Sequence, residues 1–160
     1  LFDNKSFTPM LIGIEGEPFN DDNYIYELKL DGERCLAYLS EEGTEFYNKR
    51  HKKMNVHVPE LTNIHKQADK SCILDGELMV MVNGVPNFYQ IQHRSLTYNK
   101  FKIEMAAKKY PATFTAFDIL YYDGTDLTSY PLVERKKILT DAFKENERLA
   151  LYRRKRNPFF

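Results

Sequence analysis

The fold is decided by the stretch Tyr24-Ile25-Tyr26-Glu27-Leu28-Lys29-Leu30-Asp31-Gly32-Glu33-Arg34. Its first seven residues alternate, so that Tyr24, Tyr26, Leu28 and Leu30 share one face and Glu27 and Lys29 share the other, which predicts a β-strand. Asp31-Gly32 is a turn signal, and residues 34–39 read as a strand that returns beside the first. We therefore expect a β-hairpin whose turn carries an amine, a carboxylate and a guanidinium.

Further turn signals divide the rest of the chain into strands. Glu42-Gly43, Asn83-Gly84 and Asp123-Gly124 are dipeptides typical of tight turns. The strand-like stretches that they delimit cover residues 44–48, 72–82 and 113–122. Antiparallel pairing is expected, because short turns join consecutive strands.

Three stretches predict helices. Pro59 opens a short one, in which Leu61, Ile64 and Ala68 recur at helical spacing. Residues 100–109 form the second, which Pro111 stops, and residues 132–143 form the third. The inner side of the third is predicted to carry Leu132, Leu139, Ala142 and Phe143. The order of elements predicts an α+β fold with antiparallel β-sheets and flanking helices.

Length and composition indicate one globular domain in an intracellular compartment. The chain has 160 residues, 42% of them hydrophobic, and no apolar run approaches the roughly 20 residues of a membrane span. Its start lacks the pattern of a signal peptide. Two cysteines far apart, Cys35 and Cys72, argue against a disulfide framework or a cysteine zinc site. We expect a cytoplasmic protein with no membrane partner and an oligomeric state that the sequence leaves open.

The formal net charge of zero does not exclude a nucleic-acid partner. Basic residues cluster at Lys49-Arg50-His51-Lys52-Lys53 and at Arg153-Arg154-Lys155-Arg156. A polyanion responds to charges within a Debye length of about 8 to 10 Å, and not to the sum over the chain. The alternative reading of each run is a solvated loop.

Lys29-Leu30-Asp31-Gly32-Glu33-Arg34 is the stretch with the clearest chemical content. A lysine is a nucleophile only when it is neutral, which requires burial or nearby cations. An arginine close to it suits a phosphate or a ribose. The alternative is a surface hairpin with an ordinary salt bridge.

Lys-x-Asp-Gly-x-Arg resembles motif I of the covalent nucleotidyltransferases, which comprise DNA ligases, RNA ligases and mRNA capping enzymes. The resemblance implies that Lys29 attacks the α-phosphorus of a nucleotide and becomes a lysyl–nucleotide adduct, with Asp31 and Gly32 supporting the turn. It also implies an ATP-grasp-like nucleotidyltransferase fold.

Later segments match the further motifs of this family in order. Phe46-Tyr47-Asn48-Lys49-Arg50 resembles the segment whose arginine contacts the nucleotide, here Arg50, although the family usually has Ser at the position of Lys49. Leu74-Asp75-Gly76-Glu77-Leu78 resembles the segment whose glutamate, here Glu77, reaches the ribose. Phe117-Asp118-Ile119-Leu120-Tyr121-Tyr122-Asp123-Gly124 resembles the segment whose aromatic residue, here Phe117, stacks on the purine. The resemblance further implies that Glu27 helps to recognise adenine, that Leu28 lies beside it in the nucleotide site, and that Arg34 contacts ribose and phosphate.

Two stretches favour an ATP-dependent DNA ligase within this family. Thr8-Pro9-Met10-Leu11 resembles the start of bacterial ligase adenylation domains, and Gly84-Val85-Pro86-Asn87-Phe88 with Gln92 and Arg94 resembles another of their segments. The resemblance implies ATP, Mg2+ and nicked double-stranded DNA as ligands, with AMP held covalently on Lys29. Glu77 is a candidate metal ligand, and no other metal ligand is assigned. The alternatives are an RNA ligase, a capping enzyme that uses GTP, or a non-catalytic protein that binds nucleotides or nucleic acid.

Two late motifs of the family do not occur in these 160 residues. They are a Glu-Gly-x-x-x-Lys strand and a Lys-x-Lys strand, which supply charge stabilisation at the phosphates. We therefore expect residues 1–160 to be a partial adenylation domain without the C-terminal strands and the OB-fold domain. Weak activity, or none, is expected of such a portion alone.

Overall fold

The computed structural model describes residues 2–153 and contains one seven-stranded sheet. Its strands are β1 (Glu33–Ser40), β2 (Gly43–Asn48), β3 (Cys72–Val82), β4 (Val85–Pro86), β5 (Ala112–Tyr122), β6 (Thr125–Asp126) and β7 (Leu149–Leu151). The main order is β2-β1-β3-β5-β6, with β4 paired to β3 and β7 to β5. Every pairing is antiparallel except that of β7, which runs parallel to β5. The predicted α+β fold with an antiparallel sheet is confirmed, and the parallel β7 was not expected.

Three α-helices and three short 3-10 turns accompany the sheet. The helices are α1 (Phe88–Leu96), α2 (Lys100–Lys109) and α3 (Leu132–Asp141). The side chains of Asn87 and Asn99 cap α1 and α2, because each accepts a hydrogen bond from a backbone N–H of the first turn. The sequence predicted α2 with its observed bounds and predicted α3 with two residues too many at its C-terminal end. It did not predict α1.

The helix predicted from Pro59 is present only as 3-10 turns. Pro59–Leu61 and Ile64–Gln67 are separate turns, preceded by a third at Asn55–His57. Leu61 and Ile64 are buried, as their spacing indicated. In α3 the buried residues are Arg135 and Leu139, whereas Ala142 and Phe143 are buried just beyond its end.

The predicted hairpin around Asp31-Gly32 is wrong. The second arm is β1, but residues 24–30 belong to no strand of the described chain. The reason is topological, because β1 is already paired on both edges: Cys35 lies opposite Asn48 of β2 and opposite Gly76 of β3. No edge remains for an arm returning through Gly32, so the alternating residues 24–30 run as an unpaired segment.

The sheet separates a large core from a small one. One face, with Ala37, Leu74 and Phe114, packs against residues of α1, α3 and the 3-10 turns. The opposite face carries a smaller cluster formed by Phe7, Leu36, Tyr38, Ile73 and Leu120. Since side chains alternate along a strand, Arg34, Asp75 and Glu77 share this second face.

Three further features of the sequence can be compared with the described residues. Cys35 and Cys72 are buried free thiols. No helix within residues 2–153 has the length and apolar character to cross a membrane. The basic run at residues 49–53 follows β2, whereas Arg154, Lys155 and Arg156 lie outside the described residues.

Candidate nucleotide-binding site

A β-bulge opposite Asp75 places Phe117 in the site. In the pairing of β3 with β5, Asp75 lies opposite Asp118 and Gly76 lies opposite Ala116, so Phe117 has no partner in the register. Bulges bend a strand and redirect side chains, and they are frequent near functional sites. The side chain of Phe117 lines a cavity on this part of the molecule.

This cavity has a volume of about 900 Å3, which lies within the range of small-molecule sites. Most of the residues singled out in the sequence line it together: Glu27, Leu28, Lys29, Gly32, Arg34, Arg50, Glu77 and Phe117. Asp31 is not part of the lining. The unpaired segment, β1, the loop after β2, β3 and the bulge in β5 therefore converge on one space.

Arg34 forms a two-pronged ion pair with Asp75. Its Nε lies 2.6 Å from Oδ1 and its Nη2 lies 2.7 Å from Oδ2, and the Asp75 side chain has no exposed surface. The guanidinium carbon also lies 4.4 Å from the centre of the Phe117 ring, a cation–π contact. One face of Phe117 is thus covered by Arg34, and Nη1 is the guanidinium nitrogen left without a hydrogen bond to the described residues.

A second buried pair lies directly beside the first. Arg135 of α3 donates from Nε to Oδ1 of Asp118 at 2.9 Å and from Nη2 to Oδ2 at 2.8 Å. Asp118 faces Asp75 across the β3–β5 pairing. Two neighbouring carboxylates are therefore neutralised by arginines from different elements, β1 and α3. Burial raises the pKa of Asp75, the ion pair with Arg34 counteracts this, and Asp118 adds to the rise.

Glu77 is a carboxylate of the cavity lining whose pKa is strongly raised. Burial raises its pKa from 4.5 to about 7, although the charges of Arg34 and Lys29 act in the opposite direction. A carboxyl with such a pKa changes its charge near neutral pH, and perturbed groups of this kind cluster at functional sites. Glu77 can accept a hydrogen bond or ligate a cation once it is ionised.

Close approach to β3 explains why Gly32 is needed in the motif. A Cβ at this position would lie 2.2 Å from the carbonyl oxygen of Leu78 and 2.8 Å from Cγ of Glu77. Both distances are shorter than any normal contact. Gly32 therefore lets the unpaired segment enter β1 directly against β3, next to Glu77.

The backbone of the segment that carries Lys29 is held by side chains from distant parts of the chain. Glu27 forms an ion pair with Lys136 of α3. The backbone N–H of Leu28 donates to Oη of Tyr152 at 2.5 Å. Lys29 follows these two anchored residues and lines the cavity.

Asn48 organises the loop that presents Arg50. Its Oδ1 accepts from the backbone N–H groups of Arg50, at 3.0 Å, and of Lys52, at 3.1 Å. Its Nδ2 donates to Glu33 at 3.0 Å, and Glu33 in turn accepts from the hydroxyl of Ser95 in α1. Arg50 itself is exposed at the cavity and forms no ion pair with a residue between 2 and 153.

The site suits a nucleotide with a cation bound mainly through the phosphates. In the described part of the chain, no group of three or more His, Cys, Asp or Glu side chains is arranged for a metal ion. Mg2+ commonly uses only one or two carboxylates and takes the remaining ligands from phosphates and water. Glu77 is a carboxylate of the cavity lining, which also includes Lys29 and Arg50.

Sequence reasoning missed several residues that build the site. Lys136 and Tyr152 lie far from motif I and carry no signal that links them to it. Arg94 was noted in a motif, but the structure places it in a buried ion pair with Glu60, 2.6 Å from Nη1 to Oε1, so it supports α1 and does not line the cavity. The Asn87 cap was a signal for α1, which supplies four further lining residues, Phe88, Gln92, Ser95 and Leu96.

Comparison with known proteins shows which family and which relatives this chain is similar to. A family model described as the ATP dependent DNA ligase domain matches residues 15–157. The SPbeta prophage-derived DNA ligase-like protein LigB of Bacillus subtilis (strain 168) is 31% identical over 133 residues, which cover 82% of this chain and 46% of that protein. A probable DNA ligase of Dictyoglomus turgidum is 33% identical over 126 residues, which cover 77% of this chain and 22% of that protein. The chain thus spans less than half the length of these curated relatives.

Solved structures are similar over a comparable share of the chain. The ligase domain of LigD from M. tuberculosis superposes with a TM-score of 0.62 at 26% identity, covering 80% of this chain and 38% of that one. A mycobacterial DNA ligase D complexed with ATP and MES gives a TM-score of 0.61 at 25% identity, covering 79% and 38%.

Proposed function

Because the chain belongs to the family of ATP-dependent DNA ligase domains, we propose that it binds ATP in the cavity around Lys29 and transfers the adenylyl group to that lysine. The nucleotidyltransferase fold expected from the motifs is confirmed by the match to the ligase domain of LigD. The observation that carries the proposal is the convergence of Lys29, Arg50, Glu77 and Phe117, from separate stretches of the chain, on one cavity of about 900 Å3.

The geometry supports a role for each lining residue. Phe117 offers the ring face that Arg34 does not cover, and adenine would stack there. Glu27 keeps Oε2 for the base while Oε1 is bonded to Lys136. Glu77 would accept from the ribose hydroxyls, and Arg50 would contact phosphate from its exposed loop. Nε and Nη2 of Arg34 already donate hydrogen bonds, so only Nη1 can contact a ligand. The main role of Arg34 would therefore be to pack on Phe117 and to neutralise Asp75.

The proposed reaction follows three balanced steps. The neutral amine of Lys29 attacks the α-phosphorus of ATP, so that a P–N bond forms, the bond to pyrophosphate breaks and the amine loses a proton. A 5′-phosphate oxygen at a DNA nick then attacks the same phosphorus, which breaks the P–N bond, returns a proton to the departing Lys29 amine and moves AMP onto the DNA. The 3′-hydroxyl finally loses its proton and attacks the 5′-phosphorus, sealing the strand and releasing AMP. Mg2+ bound mainly through the phosphates would neutralise their charge.

Incubation with α-labelled ATP and Mg2+ tests the first step. We expect label on the native chain that resists alkali and is released by acid, as a phosphoramidate P–N bond requires, and no label on Lys29→Ala. Label on both would refute the assignment of Lys29. An unlabelled native chain would mean that residues 1–160 do not carry out this step alone, which is a result about this stretch and not about its family.

Two further measurements separate the alternatives. Lysyl transfer that prefers GTP over ATP would indicate a capping enzyme. ATP binding that is lost in Phe117→Ala but never yields a covalent adduct would indicate a non-catalytic binding protein. For nicked DNA, we expect an affinity that falls steeply with salt, because Lys and Arg contacts release counterions, and a flat response would remove DNA as a partner.

A further inference from the structure

The position of Lys29 needs an explanation that its own backbone does not provide. Residues 24–30 belong to no strand of the described chain. A segment without ladder hydrogen bonds samples many conformations unless side chains restrain it. A nucleophile must nevertheless lie within a fraction of an ångström of its working position, because misplacement by about 1 Å can cost about 100-fold in rate.

Two residues outside motif I, both from the last part of the chain, restrain this segment. Lys136, on α3, has a side chain that is only 15% exposed, and it donates both to the carboxylate of Glu27 and to the carbonyl oxygen of Phe117. Tyr152, just after β7, accepts through Oη from the backbone N–H of Leu28 at 2.5 Å.

Both restraints are themselves anchored on the bulge in β5. The N–H of Tyr152 donates to the carbonyl oxygen of Ala116 at 2.8 Å. Lys136 bonds the next carbonyl along the chain, that of Phe117, which is the residue without a partner in the β3–β5 register. Buried backbone carbonyls require a partner, so Lys136 satisfies the bulge and reaches Glu27 with the same ammonium group. The two contacts therefore tie the residues before Lys29 to the strand that carries Phe117.

We propose that Lys136 and Tyr152 are positioning residues that set the distance between the Lys29 amine and the adenine-stacking ring of Phe117. The proposal rests on the proposed function of Lys29. Neither residue touches the reacting atoms in this arrangement: Lys136 acts through Glu27 and Phe117, and Tyr152 acts through Leu28. The pair will be called the Lys136–Tyr152 clasp.

Tyr152→Phe is the sharpest test, because it removes one hydrogen-bond acceptor and keeps the ring. Lys136→Met removes the charge, and Lys136→Arg retains it as the conservative variant. Tyr130→Phe and Lys137→Met are matched controls, since no hydrogen bond or ion pair of the described chain joins either side chain to residues 24–30. Hydrogen exchange of the peptide covering residues 25–31 reports the restraint without requiring activity.

We expect exchange of the Leu28 amide, which donates to Tyr152, to be at least severalfold faster in Tyr152→Phe and Lys136→Met than in the native chain and both controls. The single-turnover rate of label transfer to Lys29 should fall about tenfold in both variants. In Tyr152→Phe the ATP concentration at half saturation should change less than threefold, because Tyr152 acts through the backbone of Leu28 and not through Glu27 or Phe117. Lys136→Arg should restore both readouts at least in part.

Unchanged exchange in both clasp variants would overturn the proposal, and so would a normal transfer rate combined with weaker ATP binding. If the native chain takes up no label, the proposed function fails for this chain while the exchange comparison still decides whether the clasp exists. The two failures are therefore distinguishable.

Discussion

Replacing Arg34 by Met should destabilise the chain by an amount that depends on pH. The substitution keeps an unbranched apolar side chain but removes the two hydrogen bonds, of 2.6 and 2.7 Å, through which the Arg34 guanidinium neutralises Asp75. The Asp75 carboxylate, which has no exposed surface, would be left beside Asp118. Breaking a buried ion pair by removing one partner typically costs about 3–5 kcal/mol.

The dependence on pH follows from the pKa of Asp75. Burial already raises this pKa above its ordinary value of 3.8, and loss of Arg34 removes the main opposing influence. A carboxyl whose pKa is higher in the folded state than in the unfolded state stabilises the fold only at low pH. The free energy of unfolding of Arg34→Met should therefore fall with rising pH, by up to about 1.4 kcal/mol per pH unit, until Asp75 has ionised.

Urea unfolding at pH 5 and pH 8 measures both effects. At pH 8 we expect Arg34→Met to lose about 3–5 kcal/mol, and at pH 5 clearly less. The double variant Arg34→Met/Asp75→Leu should recover most of the loss, because an apolar pair of similar volume avoids the unpaired charge. A loss below about 1 kcal/mol at pH 8, or equal losses at the two pH values, would contradict the reasoning.

Three further substitutions test other parts of the site. Gly32→Ala should lower the free energy of unfolding, measured by thermal unfolding, by about 1–3 kcal/mol. Gly13→Ala should leave it unchanged, because nothing lies within 4 Å of a Cβ at that position. Equal effects of the two substitutions would contradict the close approach of Gly32 to β3. The pKa of about 7 at Glu77 predicts that the native chain loses stability as the pH rises from 4.5 to 7, and Glu77→Gln should flatten that profile in urea titrations. Asn48→Ala should release the loop of Arg50 and raise the ATP concentration at half saturation about tenfold, which a binding titration measures and an unchanged value would disprove.

The sequence predicted best those elements that are specified locally. Cys72–Val82 and Lys100–Lys109 have the predicted bounds, because a continuous strand pattern ends at Asn83-Gly84 and a helical pattern is stopped before Pro111. The strand at residues 24–30 failed for a non-local reason. Its alternation is genuine, but both edges of β1 are occupied by β2 and β3, which no local pattern reveals.

The candidate site follows the same division. Motif residues such as Lys29 and Glu77 were found from their neighbours in sequence, and the structure brings them to one cavity. Their partners were not found, because pairing is a property of the fold: Asp75 lies 41 residues from Arg34, and Lys136 lies 109 residues from Glu27. Carboxylates and cations are common on any surface, so composition alone does not say which of them meet.

The two adjacent arginine–aspartate pairs have a consequence for the order in which the molecule assembles. When β3 and β5 align, Asp75 and Asp118 are brought side by side, and this step is unfavourable until Arg34 and Arg135 have both arrived. The central strands, the entry into β1 and the docking of α3 should thus form and open as one cooperative unit. Native-state hydrogen exchange would then give one common opening free energy for these elements. The strands that line the nucleotide cavity would therefore lose their structure only when the whole domain unfolds.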